Sequence, residues 1–150
     1  MNDMESSKQW SRVKNWLPVI VWGGLIFAFS TEIFSGSDTS GMIAPLLNKV
    51  FPSLSSDALD LIHLLVRKLG HFGEFFILAV LIMRALRNQS NESRVGLAIA
   101  LTTLYAVSDE LHQSVVPRRT ASALDVLIDV FGGVCGTWWF RLRQHGKKAP

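Results

Sequence analysis

The sequence predicts an all-α integral membrane bundle of four transmembrane helices, with an amphipathic helical segment in the outer loop. Three observations predict it. The chain has 150 residues, 49% of them hydrophobic and 18% charged, and a mean hydropathy of +0.28, which is too apolar for an ordinary soluble domain. Four apolar runs approach the roughly 20 residues that a helix needs to cross a hydrocarbon core of about 30 Å. The basic residues form short clusters flanking those runs, so the net charge of +3 points to membrane flanks and not to nucleic acid. A single domain over 1–150 accommodates all four runs without repeat or linker.

The first run covers about 16–34, interrupted by Ser30-Thr31-Glu32, with Pro18 in its first turn, where a missing N–H is tolerated. The second covers about 69–86 and contains His71, Glu74 and Arg84. The third covers about 95–108 and ends on Asp109-Glu110; it is short unless Arg94 snorkels to the interface. The fourth covers about 121–140 and contains Asp125 and Asp129. A soluble bundle of very greasy helices competes with this reading, but the runs leave almost no wet face. A cleaved leader also competes: Lys8, Arg12 and Lys14 precede an apolar stretch, yet Ala28-Phe29-Ser30 is a poor cleavage site.

Charge sets the direction. With the N-terminus in the cytoplasm, the inner segments hold Lys8, Arg12, Lys14, Arg84, Arg87, Arg94, Arg141, Arg143, Lys147 and Lys148. The outer ones hold Lys49, Arg67, Lys68, Arg118 and Arg119. That bias predicts a multi-pass inner-membrane protein with both termini cytoplasmic, and Trp10, Trp16, Trp138 and Trp139 then lie at the inner interface. The outer loop, about 35–67, contains a helix start at Ser55-Ser56-Asp57. Beyond it Leu59, Ile62 and Val66 share one face and Asp60, His63 and Arg67 another, as in a helix lying on the outer surface. Met42 to Phe51 is a shorter patch that could dip into the interface.

This topology gathers the embedded ionisable residues at the outer side. Lys68, His71 and Glu74 fall in the outer turns of the second helix. Tyr105, Asp109, Glu110 and Gln113 fall at the end of the third, and Ser122, Asp125 and Asp129 in the outer half of the fourth; Glu32 is near the outer end of the first. Spacings of three and four let each set project from one face of its helix. A charge in the bilayer costs roughly 2.5–3.5 kcal/mol on insertion scales, so such residues are usually paired and functional. Lys68 and Arg118-Arg119, the latter beside the helix start at Thr120 and Ser122, form an expected anion site. A divalent metal is the alternative occupant, held by Asp109, Glu110, Asp125 or Asp129 with His71 or His112; without HExxH or a tight ligand repeat that signal is weak. The bland alternative is that these charges only staple the helices. For Glu110 and Arg118 facing water is the simpler expectation, and His63 and His112 are expected at the surface. Gly23, Gly24, Gly132, Gly133 and Gly136 are expected to permit close packing, with Cys135 a small packing residue.

The segment Arg67-Lys68-Leu69-Gly70-His71-Phe72-Gly73-Glu74-Phe75 resembles the lysine–histidine–phenylalanine–acid segment of VanZ-like membrane proteins. Ser108-Asp109-Glu110-Leu111-His112-Gln113, then Val116-Pro117-Arg118-Arg119-Thr120, resembles their second signature. Ser122, Asp125, Asp129 and the glycines from Gly132 to Gly136 continue it. Phe29-Ser30-Thr31 and the stretch from Thr39-Ser40 to Pro45-Leu46-Leu47 are similar but less specific. The likeness covers about 16–140. It departs at Phe75, where the family often has tyrosine, and at Arg118, where it often has glycine, so Arg119 is the matching arginine. The resemblance implies a bacterial cell-envelope setting; the founding member is associated with low-level resistance to the glycopeptide teicoplanin.

Two main functions follow as expectations. In the first, an outer polar pocket binds an anionic lipid-linked intermediate, a wall precursor or a lipophilic glycopeptide. The residues expected to form it are Lys68, His71, Glu74, Tyr105, Asp109, Glu110, Gln113, Arg119, Ser122, Asp125 and Asp129. In the alternative, an intramembrane enzyme acts on a lipid-linked phosphate or sugar, its catalytic groups drawn from His71, Glu74, Asp109, Asp125 and Asp129 with Lys68 and Arg119 stabilising phosphate charge. No activated Ser or Cys nucleophile motif supports the enzyme. A proton or ion pathway is a third possibility, although the inner halves of the helices look dry.

Overall fold

Serine side chains set two of the four helix starts. In the computed structural model, which describes residues 2–31, 49, 55–117 and 121–145, Ser55 Oγ accepts the Ala58 amide at 3.3 Å and Ser90 Oγ accepts that of Ser93 at 3.3 Å. Each satisfies a donor that the first turn would otherwise leave bare. The described helices are α1 (Asn2–Phe29), α2 (Ser56–Ala85), α3 (Asn91–Val115) and α4 (Ala123–His145). There are no strands among the described residues. α3 stops before Val116-Pro117, where Val116 is extended as the residue before a proline prefers.

All four helices are longer than their apolar runs. α1 begins at Asn2, so Pro18 lies inside it rather than in its first turn, and the Lys14 carbonyl loses its usual helical donor. The segment expected on the outer surface is the opening of the continuous, 30-residue α2; Gly70 and Gly73 do not interrupt it. The Met42–Phe51 patch lies outside the described residues apart from position 49.

α2 and α4 run parallel and make the most extensive pairing. A Cβ on Gly132 would collide with the Phe72 carbonyl, and one on Gly136 with the Phe76 carbonyl. The two glycines and the two carbonyls share the four-residue spacing, so two small steps on α4 seat one face of α2. Gly133 faces α3, where an added Cβ would lie 2.6 Å from Thr102 Cγ2. Gly23 packs against Tyr105, whereas Gly24, expected to pack as well, has open space around it.

α1 and α3 run opposite to α2 and α4. Trp22 Nε1 donates to the Glu74 carbonyl at 2.9 Å, tying α1 to α2, and the Tyr105 hydroxyl donates to the Gly23 carbonyl at 2.6 Å, tying α1 to α3. Tyr105→Phe should lower stability by about 1 kcal/mol, the worth of one such bond, read as a lower unfolding temperature in detergent; an unchanged temperature would show that the bond contributes nothing. Between the helices lies a core of Ile26, Phe75, Leu78, Ile82, Met83, Ala98 and Ala106.

Charge and grease are distributed inside out. Asp125 and Asp129 are 1% and 0% exposed, while Leu69, Leu104 and Leu127 are 68%, 68% and 65% exposed. Among the described helices, one, over Ala123–Gln144, is long and apolar enough to cross a membrane by length and hydropathy. The four-span expectation is therefore met by one span on that measure. α2 carries Glu74 and Arg84 within its run and Lys68 just before it, and the run of α3 ends on Asp109-Glu110. At the end of the bundle where α3 starts and α4 finishes, Arg94 does not snorkel: it is buried, bonding Asn91 Oδ1 at 2.6 Å and Gln144 Oε1 at 2.9 Å. Trp10, Trp138 and Trp139 are exposed, with Lys14, Arg141 and Arg143 over their respective rings.

Candidate functional site

The parallel pairing of α2 and α4 sets two pairs of side chains opposite one another. Lys68 Nζ donates to Asp125 Oδ1, and Arg67 Nη2 reaches Asp125 Oδ2 at 3.3 Å. One turn deeper, His71 Nδ1 lies 3.1 Å from Asp129 Oδ1. The cations are partly exposed and the carboxylates are not, so α4 supplies buried acceptors that α2 satisfies.

α1 and α3 supply the other half. Ser30 Oγ lies 2.5 Å from Asp109 Oδ1 and 3.0 Å from the Ile26 carbonyl. Its single proton goes to the carboxylate, the charged and closer acceptor. Gln113, one turn along from Asp109, donates Nε2 to Asp109 Oδ2 at 2.9 Å and lies 3.4 Å from Ser30 Oγ. Glu110 Oε2 accepts the backbone amide of Ser122 at 2.8 Å, and the Ser122 carbonyl accepts the Asp125 and Val126 amides in the first turn of α4. Glu110 is thus 4% exposed and does not face water.

These contacts bring His71, Asp109, Glu110 and Asp129 together: one donor atom from each lies within 4.8 Å of the others, and all four residues are buried. Asp125 stands beside this group, engaged by its two cations. Other expected members contribute differently. Tyr105 bonds α1 instead, Glu74 is half-buried near His71 with its carbonyl serving Trp22, and Ser122 takes part through its backbone. Glu32, Arg118, Arg119 and Thr120 lie outside the described residues. His112, expected at the surface, is half-buried and stacks on Phe27 with ring centroids 4.4 Å apart. Phe75, at the family's tyrosine position, is fully buried, its ring centroid 6.1 Å from that of Tyr105.

Two contributors were not singled out by spacing. Ser30 orients Asp109, and its sequence signals are the break at Ser30-Thr31-Glu32 and the Phe29-Ser30-Thr31 likeness. Arg67 shares Asp125 with Lys68, although its three-and-four spacing with Asp60 and His63 suggested a wet surface stripe.

Hydrogen bonding leaves part of the centre unsatisfied. Glu110 Oε1, Asp129 Oδ2 and Gln113 Oε1 are buried without a partner. Among the described residues no Lys or Arg pairs with Asp109, Glu110 or Asp129. A buried acceptor without a donor costs about 1–3 kcal/mol, more if charged, so the arrangement is costly as a mere staple.

The fold and site define an all-helical protein with an apolar exterior and a buried, carboxylate-rich centre at one end. The chain belongs to the VanZ/LLP1 family, whose family model matches residues 15–144. That family suggests a membrane protein, in keeping with the apolar span in α4. No curated protein and no solved structure matches the chain.

Proposed function

We propose that this chain is a multi-pass protein of the bacterial inner membrane, with four spans and both termini cytoplasmic, whose outer polar centre binds the head of an anionic lipid-linked or wall-related ligand. This chemistry would connect it with glycopeptide (teicoplanin) resistance, since teicoplanin is itself lipophilic.

The observation that carries the reading is an apolar groove whose Tyr105 edge lies one helical turn from Asp109 of the polar centre. The groove holds about 300 Å³ and is lined by Trp16, Ile20, Gly24, Leu78, Leu101 and Tyr105, among others. Tyr105 is one helical turn, about 6 Å, from Asp109. A tail along the groove would place its polar head toward the carboxylate centre, beside the partly exposed Arg67 and Lys68, which are paired with Asp125. The exposed leucines and the tryptophans paired with Arg or Lys at the far end support membrane embedding.

Thermal unfolding of the full chain in detergent tests this, with polyprenyl phosphate, a lipid-linked wall precursor and teicoplanin as probes. A true ligand at a hundred times its dissociation constant should stabilise the protein by about 2.7 kcal/mol. Gly24→Leu, which adds bulk in the groove without meeting the core, should fold normally and lose the shift; Lys68→Ala should weaken it. Shifts that persist unchanged in both folded variants would sink the reading.

A further inference from the structure

We propose that His71, Asp109, Glu110 and Asp129 form a binding site for one divalent cation, of the kind that accepts several carboxylates and a histidine, such as Mn²⁺ or Zn²⁺.

The four side chains come from three helices, α2, α3 and α4, and converge with one donor atom of each within 4.8 Å of the rest. In a tetrahedral site with bonds of about 2.1 Å, ligand atoms lie roughly 3.4 Å apart. The widest pair therefore has to close by up to about 1.4 Å, a shift that side-chain torsions can supply.

The spare atoms are an independent sign of an occupant. Glu110 Oε1 and Asp129 Oδ2 have no partner, although the two residues are only 4% and 0% exposed. Gln113 Oε1, on the amide that donates to Asp109, is likewise unpartnered in a residue 1% exposed. Bulk water does not reach these atoms and no described Lys or Arg pairs with them, because Arg67 and Lys68 are held by Asp125.

The surrounding hydrogen bonds have the form of a supporting shell. Ser30 and Gln113 fix Asp109, the Ser122 amide fixes one oxygen of Glu110, and Asp129 Oδ1 fixes the His71 ring. Metal ligands are commonly oriented in this way, and a histidine held through one ring nitrogen has its other available. The oxygen-rich set with one imidazole and no thiolate excludes soft-metal specialisation. The cation also supplies what an anionic headgroup would lack in a centre of three carboxylates: a positive charge to bind. That last role rests on the proposed ligand, whereas the metal site does not.

The test is metal binding by the full chain in detergent, stripped with chelator, with no lipid ligand added. Calorimetry with Mn²⁺, Zn²⁺ and Mg²⁺ should find one site per chain for Mn²⁺ or Zn²⁺, with a matching rise in unfolding temperature. Glu110→Gln and Asp129→Asn should each weaken it about a hundredfold or more, since even outer-shell partners are worth 10–100-fold. Both variants remove a buried carboxylate that no described Lys or Arg pairs with, at nearly constant shape, so the metal-free proteins should be about as stable as wild type or more so. Asp60→Asn, at an exposed position, should bind normally. No saturable binding to wild type, or binding retained in both centre variants, would overturn the proposal. A failed lipid titration alongside intact metal binding would remove the ligand reading and leave the metal site standing.

Discussion

Gly136→Val is expected to destabilise the folded protein by about 3 kcal/mol or more, the upper end of overpacking costs, while Gly24→Val changes stability by less than about 1 kcal/mol. Both put the same side chain into a helix, and valine's helix propensity slightly exceeds glycine's, so intrinsic preference works against the predicted loss. The difference lies in what each new Cβ meets. At Gly136 it is the carbonyl of Phe76, a backbone group of α2 that cannot rotate aside; at Gly24 it is open space. Pushing α4 off α2 would also part Lys68 from Asp125 and His71 from Asp129, since both pairs depend on the same register. Unfolding in detergent by a chemical denaturant, followed by circular dichroism, measures the two variants side by side. Equal stabilities would mean that the α2–α4 contact is looser than the geometry indicates.

How much of this was legible in the sequence differs by residue. His71, Asp109, Asp125 and Asp129 could be placed at one end because period and run direction fix the depth of a polar residue. Depth is not facing. Gly23 and Gly24 are neighbours in similar surroundings, yet one packs against Tyr105 and the other opens into a groove; only the position of α3 distinguishes them. Glu110 and His112 sit at the end of an apolar run, where facing water was the simpler expectation. Glu110 turns inward because Ser122 offers it an amide, and His112 is half-buried against the ring of Phe27. Ser30 carries no charge and interrupts its run weakly, so its bond to Asp109, 79 positions away, leaves no local trace. The helices outrun the apolar runs for a related reason: the run marks the greasy part of a helix, whereas polar residues such as those before Trp10 continue the same backbone.

The second large effect should come from stripping Asp125 of both its cations. Lys68→Met alone leaves Arg67 on Asp125 Oδ2, and Arg67→Leu alone leaves Lys68 on Oδ1, so each is expected to cost about 1 kcal/mol, as for one hydrogen bond. The double variant leaves a carboxylate 1% exposed with no described cation, and breaking a buried pair from one side costs about 3–5 kcal/mol. The loss should thus exceed the sum of the singles, the sign of a shared partner in a double-mutant cycle. Adding Asp125→Leu to the double variant should then restore most of the stability, because it removes the orphaned charge and leaves an apolar side chain among helices that already bury apolar surface. A triple variant no more stable than the double would mean that Asp125 is satisfied by something other than Arg67 and Lys68. If instead the third substitution rescues, the pairing is an electrostatic necessity created by Asp125 itself, and Arg67 and Lys68 are held there because that carboxylate is buried.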